Sequence, residues 1–199
     1  MEIIVHRVNS IKKLKKLPHN FGAEIDLRVY KSKIILNHEP FKSGDTLDNF
    51  LKHYNHGTLI LNIKELGIED EVIKKVKKAK VKSYFLLDVE FPYIFKCIKN
   101  KQKNIAIRFS EKESIETAKL LYKNFKWLWI DTVTKLPLNK KNLNIIKKFK
   151  SCVVCPERWG RPFEIDNYIR KMKNINFKPN AVMTSQKYAQ KWIDGNFKN

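Results

Sequence analysis

The feature that most constrains this 199-residue chain is a strict alternation of two patterns. Short runs rich in β-branched and aromatic residues occupy 2–7, 23–29 with its continuation 33–38, 59–64, 83–90, 105–110, 127–132, 151–157 and 181–185. Between them, 10–17, 46–54, 68–80, 91–101, 111–125, 139–150, 163–172 and 186–193 carry apolar residues at helical spacing. Asp45 and Ser110, the latter followed by Glu113 in a capping-box arrangement, mark two helix starts. Strands that alternate with helices are parallel and joined by crossovers. Eight such units predict an α/β fold, a small (β/α)8 TIM barrel, spanning residues 1–199 as a single domain. An open doubly wound sheet is the rival. It would need a glycine-rich phosphate loop after the first strand, where this chain has His6-Arg7-Val8-Asn9.

Composition narrows the function classes. The longest uncharged apolar runs, such as 58–63 and 127–130, are strand-sized, far below the roughly 20 residues of a membrane span. The N-terminus places His6 and Arg7 where a signal peptide keeps its apolar stretch, so a cytoplasmic location is expected. Three cysteines give no disulfide framework. The formal charge of +21 rests on 35 Lys and only 6 Arg, alongside 22 Ile, 18 Asn and 6 Ala. That usage is the residue bias of an AT-rich genome, and the lysines fall on the outer faces of 11–17 and 72–78. Nucleic-acid surfaces favour arginine and stacking aromatics, so nucleic acid is not the expected partner. The oligomeric state is left open. A positive field still attracts phosphate-bearing substrates.

In a barrel the functional side chains stand at the C-terminal ends of strands, alternating along each strand. Here His6 ends the first run, and Glu24, Asp26 and Arg28 share a face of the second, which continues to His38. Asn62 and Lys64 close the third, Asp88 and Glu90 the fourth, Arg108 the fifth, Asp131 the sixth and Glu157 the seventh. Buried charges cost several kcal/mol unless paired or bound to metal, so a ring of them at one end needs a reason. A salt-bridge network closing the mouth is the purely structural alternative.

The order His6-Arg7, then Glu24-Ile25-Asp26, then His38-Glu39, followed by Lys64 on the third strand, resembles the glycerophosphodiester phosphodiesterase family, within the phosphatidylinositol-specific phospholipase C-like superfamily of barrels. The stretch His6–Asn9 is also similar to the opening motif of the sphingomyelinase D relatives. The resemblance implies a metal-dependent phosphodiesterase acting on a phosphodiester substrate. In it His6 and His38 would be the acid–base pair, Glu24 and Asp26 ligands of Mg2+ or Ca2+, and Arg7 and Lys64 the phosphate holders. Paired carboxylates on one strand face suit a hard cation, and histidine titrates where acid–base catalysis needs it.

Four departures stand out. Asn62 occupies the position where the family places a third metal-ligating carboxylate, so it would offer an uncharged amide oxygen. Glu39 replaces the usual aspartate, and Val8 the usual glycine after His-Arg. Residues 39–45 leave little room for the family's site-covering insertion. A barrel that binds a phosphate-containing ligand without turning it over is therefore the alternative function.

The loop from Cys155 to Arg161 combines Arg158, Trp159, Gly160 and Arg161 after the seventh strand, a frequent place for phosphate contacts. Arg108, Glu157 and Arg158 are accordingly expected to bind substrate. Cys152 and Cys155, three residues apart on a strand, point to opposite faces, which argues against zinc.

Overall fold

The computed structural model describes residues 1–195 and Phe197. Eight parallel strands alternate with helices, in the sheet order β5 (Tyr84–Leu87), β4 (Leu59–Ile63), β2 (Gly22–Tyr30), β1 (Glu2–Val5), β9 (Ala181–Thr184), β8 (Lys150–Val154), β7 (Trp127–Ile130), β6 (Ala106–Phe109), with β3 (Lys33–Leu36) paired to β2 outside that path. This is the plan of a small (β/α)8 TIM barrel. The chain divides into two compact units, residues 4–100 and residues 1–3 with 101–199.

In the first unit, β1 (Glu2–Val5) leads to α1 (Ile11–Leu14), then β2 (Gly22–Tyr30), β3 (Lys33–Leu36) and α2 (Leu47–Lys52). Next come β4 (Leu59–Ile63), α3 (Glu69–Lys78), β5 (Tyr84–Leu87) and α4 (Phe91–Lys99). Parallel pairing aligns Val5 with Ala23, Glu24 with Ile60, Asp26 with Asn62 and Asn62 with Leu87. Residues aligned across parallel strands share a face, so Glu24, Asp26, Ile60, Asn62, Phe85 and Leu87 form one surface. Leu59, Leu61 and Ile63 alternate onto the other, and every residue of β4 is buried. A strand buried on both faces reads as a continuous apolar run, which is why 59–63 stood out in the sequence.

The second unit runs through β6 (Ala106–Phe109), α5 (Ile115–Leu121), β7 (Trp127–Ile130), α6 (Leu143–Ile146) and β8 (Lys150–Val154). It continues through two short 3-10 turns, α7 (Ile165–Asn174), β9 (Ala181–Thr184) and α8 (Ala189–Asp194). Trp192, Tyr168 and Met172 fill its core from the last two long helices. Trp127 and Trp129 are buried, as are Cys97, Cys152 and Cys155. No described helix is long and apolar enough to cross a membrane.

Three local expectations change. The run 33–38 does not extend the second strand but turns back on it: Lys31 and Ser32, both at positive φ, make the reversal, and β3 pairs antiparallel with β2. Asp45 does not cap the helix that follows it, a role taken by Thr46; its Oδ2 instead accepts the backbone N–H of Ile11 at 2.7 Å, at the start of α1. Ser110 does accept the N–H groups of Lys112 and Glu113, but the turn stays isolated and α5 is capped by Ser114. Glu113 cannot complete a capping box because Arg108 Nε holds its carboxylate at 2.7 Å.

Candidate functional site

Glu24 and Asp26 are 1% exposed, on the same face of β2, two residues apart. Each is held by the loop after β1. Arg7 adopts φ 53°, a left-handed conformation uncommon outside glycine, and its N–H reaches Glu24 Oε2 at 2.7 Å. Asn9 grips Asp26 twice, with Nδ2 donating to Oδ2 at 2.7 Å and Oδ1 accepting the Asp26 N–H at 2.9 Å. His6 Nε2 lies 3.9 Å from Glu24 Oε2. Asn62 Nδ2 donates to Glu24 Oε1 at 3.0 Å.

Lys64 follows β4 with its Nζ 3.1 Å from Asp88 Oδ2 and 3.9 Å from Asp26 Oδ1. Strand register alone would turn Asp88 to the opposite face from Asn62. The left-handed backbone at Asp88, φ 58°, breaks the alternation, and its carboxylate meets Lys64. His38 stands half-exposed, its Nδ1 2.7 Å from Glu39 Oε1. The ring holds the Glu39 carboxyl below its ordinary value, first through that hydrogen bond and then through charge. With Nδ1 engaged, Nε2 is the ring nitrogen left for chemistry.

Among the buried side-chain atoms of the described residues that have no hydrogen-bond partner, three lie on these residues: Asp26 Oδ1, Asn62 Oδ1 and Arg7 Nε. Two are acceptors, with Lys64 Nζ 3.9 Å from Asp26 Oδ1 and so beyond hydrogen-bond reach, and one is a cationic donor, 3.8 Å from Asp26 Oδ2. Buried polar atoms are normally satisfied, so orphans gathered on neighbouring residues point to a missing ligand. Burial, followed by the charge of Asp26, pushes Glu24 up to about 7, against the smaller lowering effects of the Arg7 N–H, the Asn62 amide and the Lys64 charge. Two carboxylates with a free amide oxygen fit a hard, oxygen-seeking cation. Among the described residues no group of three His, Cys, Asp or Glu gathers in ligand geometry.

The Glu24 shift has a testable sign. The native state keeps this proton longer than the unfolded chain, whose glutamate titrates near 4.5. The stability it contributes is therefore fully present below about 4.5 and lost as pH rises through about 7. In chelator, the thermal midpoint is expected to fall across that window by an amount worth on the order of a few kcal/mol. Glu24→Gln should flatten the fall; an unchanged slope would assign it to other groups.

Sequence reasoning gave no role to Asn9 or Arg28. Arg28, on β2 beyond Asp26, donates from Nε to the carbonyl of His38 and from Nη1 to that of Lys64, both at 2.9 Å. One guanidinium thus ties the loops of two predicted site residues to the strand bearing the carboxylates. Its period-two spacing from Glu24 and Asp26 was the available signal, but the backbone acceptors belong to distant segments. Arg28→Met is expected to lower stability by about 1.5–3 kcal/mol. A smaller loss in a chemical-denaturation midpoint would show that the two carbonyls find other donors.

In the second unit, Arg108 donates to Glu113 and, at 2.8 Å, to Asp131 Oδ2. Asp131 also accepts from the indoles of Trp129 at 3.3 Å and Trp159 at 3.0 Å. Glu157 Oε1 accepts the Ser185 N–H at 2.7 Å and the Thr184 hydroxyl at 3.2 Å, while Arg158 Nη1 lies 3.6 Å from Glu157 Oε2. Arg158 Nε is buried without a hydrogen-bond partner.

Solved structures share this fold. A glycerophosphoryl diester phosphodiesterase of Parabacteroides distasonis aligns at TM-score 0.64 and 13% identity, over 92% of this chain and 81% of its own. A glycerophosphodiester phosphodiesterase of the same organism aligns at TM-score 0.64 and 14% identity, over 97% and 96%. A protein of Agrobacterium tumefaciens described as a glycerophosphoryl diester phosphodiesterase aligns at TM-score 0.67 and 10% identity, over 96% of both chains. No family model and no curated protein matches the sequence.

Proposed function

We propose that the chain is a divalent-metal-dependent phosphodiesterase of the glycerophosphodiester phosphodiesterase type, with its site on residues 6–88. The observation that carries this reading is the coexistence of orphaned buried acceptors on Asp26 and Asn62 with an orphaned buried cationic donor on Arg7. The acceptors suit a cation and the donor suits an anion, and a metal phosphodiester complex is both. The three structures named above, all of proteins described as such phosphodiesterases, support it.

Glu24, Asp26 and the Asn62 amide oxygen would hold Mg2+ or Ca2+, which supplies Lewis-acid polarisation of the phosphoryl group when bound. Arg7 Nε and Lys64 Nζ bind phosphate oxygens and oppose the charge that builds in the transition state. Of His6 and His38, one removes the proton from the attacking hydroxyl, that of water or of a neighbouring substrate carbon. The other gives a proton to the departing alkoxide oxygen as its bond to phosphorus breaks. Glu39 fixes the His38 tautomer. A cytoplasmic location is part of the same proposal.

One observation favours the alternative, a barrel that binds phosphate without turnover. Lys64 and Arg7 already stand within 3.9 Å of Asp26 and offset part of its charge internally. Hydrolysis of soluble glycerophosphodiesters, with His6→Ala as control, decides between the two.

A further inference from the structure

In the unit formed by residues 4–100, the exposed large apolar side chains among the described residues are Phe41 at 94%, Phe95 at 62%, Leu66 at 57% and Phe91 at 54%. Their distribution is not that of scattered surface residues. Phe41 lies between His38 and Asp45, a segment tied to the site end of the strands by the Asn37 N–H on Asp26 O. Leu66 follows Lys64 in the loop after β4, and Phe91 opens α4 three residues after Asp88. Phe95 sits one turn further on, its ring edge-on to Phe91 at 5.6 Å. All four therefore sit in, or one helical turn beyond, the connections that carry the proposed phosphate and acid–base residues. Phe41 is also held at φ 61°, so an almost fully exposed ring occupies a backbone conformation unfavourable for it. Exposed apolar side chains concentrated in the connections at the site end, rather than spread singly over the surface, mark an interaction site.

Resting on the phosphodiesterase reading, we infer that these loops dock on a phospholipid surface, and that the diester attacked is a lipid headgroup presented there. Phenylalanine and leucine side chains offer no hydrogen bond, so they recognise hydrocarbon, whereas the groups beside them recognise a phosphodiester. Phospholipid is the class that joins both at one surface. The loops carry both signs of charge, with Lys42 against Glu39, so attraction must come from the molecule's field. At +21 that field complements an anionic bilayer. No described helix spans a membrane, so the mode is lying on the surface, with apolar side chains inserted.

The test is co-sedimentation of the full chain with phosphatidylcholine vesicles containing phosphatidylglycerol, compared with Phe41→Ser/Phe91→Ser. Wild type should sediment with the vesicles, and the double variant should lose at least about tenfold in partitioning. Its hydrolysis of soluble glycerophosphocholine should be unchanged, and Leu66→Ser gives an independent second variant. No vesicle binding by wild type, or equal binding by the variants, overturns the inference. So does a variant-dependent change in oligomeric state by light scattering, or displacement by single-stranded oligonucleotide, since either names another occupant. Vesicle binding needs no turnover, so hydrolysis of soluble diesters without vesicle binding sinks the docking and spares the proposed function. Vesicle binding by wild type without any turnover does the reverse.

Discussion

Replacing His6 by alanine is expected to lower hydrolysis of a soluble glycerophosphodiester by about 10²–10⁴-fold. The physical basis is that His6 sits within 3.9 Å of Glu24 at the end of β1, beside the carboxylate pair that the metal reading needs. His38→Ala should cost a comparable factor, and the double variant little more than either single one. Residues that act in one proton-transfer cycle are not additive. Glu39→Gln should fall well short of either, because it removes only the group that holds the His38 ring. The fold is a separate readout: His6 is not among the buried core residues, which include Ile3, Ile4 and Val5, and circular dichroism of the variants should match wild type. Wild-type turnover that survives His6→Ala undiminished would remove the acid–base pair from the proposal.

The second large effect belongs to Asn62→Asp. In wild type the amide donates to Glu24 Oε1 and leaves Oδ1 buried and unpartnered. An aspartate of the same shape would lose the donor and add a third carboxylate to a site where Glu24 is already pushed up to about 7. In chelator near neutral pH the variant should be destabilised by about 3 kcal/mol, because an uncompensated charge is buried. Saturating Mg2+ or Ca2+ should restore most of the loss, and affinity for the cation by calorimetry should exceed that of wild type. Restoration by the cation is the discriminating result. A variant equally destabilised with and without divalent ions would mean that the carboxylates are served by Lys64 and Arg7 alone.

Much of the fold could be read because parallel strands buried on both faces are mostly apolar, with polar residues such as Asn62 on the site face. Trp127–Ile130 and Leu59–Ile63 show this directly, each a run of buried residues. Helix ends were less legible. Asp45 carries the side chain of a helix cap, and it does cap, but on α1, 34 residues earlier in the chain. Nothing local tells an aspartate which helix it will serve. The hairpin of β2 and β3 was hidden for a similar reason. Lys31 and Ser32 are not residues that announce a turn at positive φ.

The same division runs through the site. That Glu24 and Asp26 share a face follows from their spacing, because a strand alternates with period two and no other part of the chain is needed to know it. The His-Arg, Glu-x-Asp, His-acid order was likewise visible without coordinates. Which groups remain unsatisfied was not. Asn9 on Asp26, Arg28 across the carbonyls of His38 and Lys64, and Asp88 turned to Lys64 by one left-handed residue all depend on segments brought together from up to 36 residues apart. Period and residue type are local properties of a chain, so the sequence by itself determined the alternating units and the chemistry each strand end carries. Hydrogen-bond satisfaction and desolvation depend on every neighbour at once, so only the tertiary structure decided which of those groups are paired and which are not.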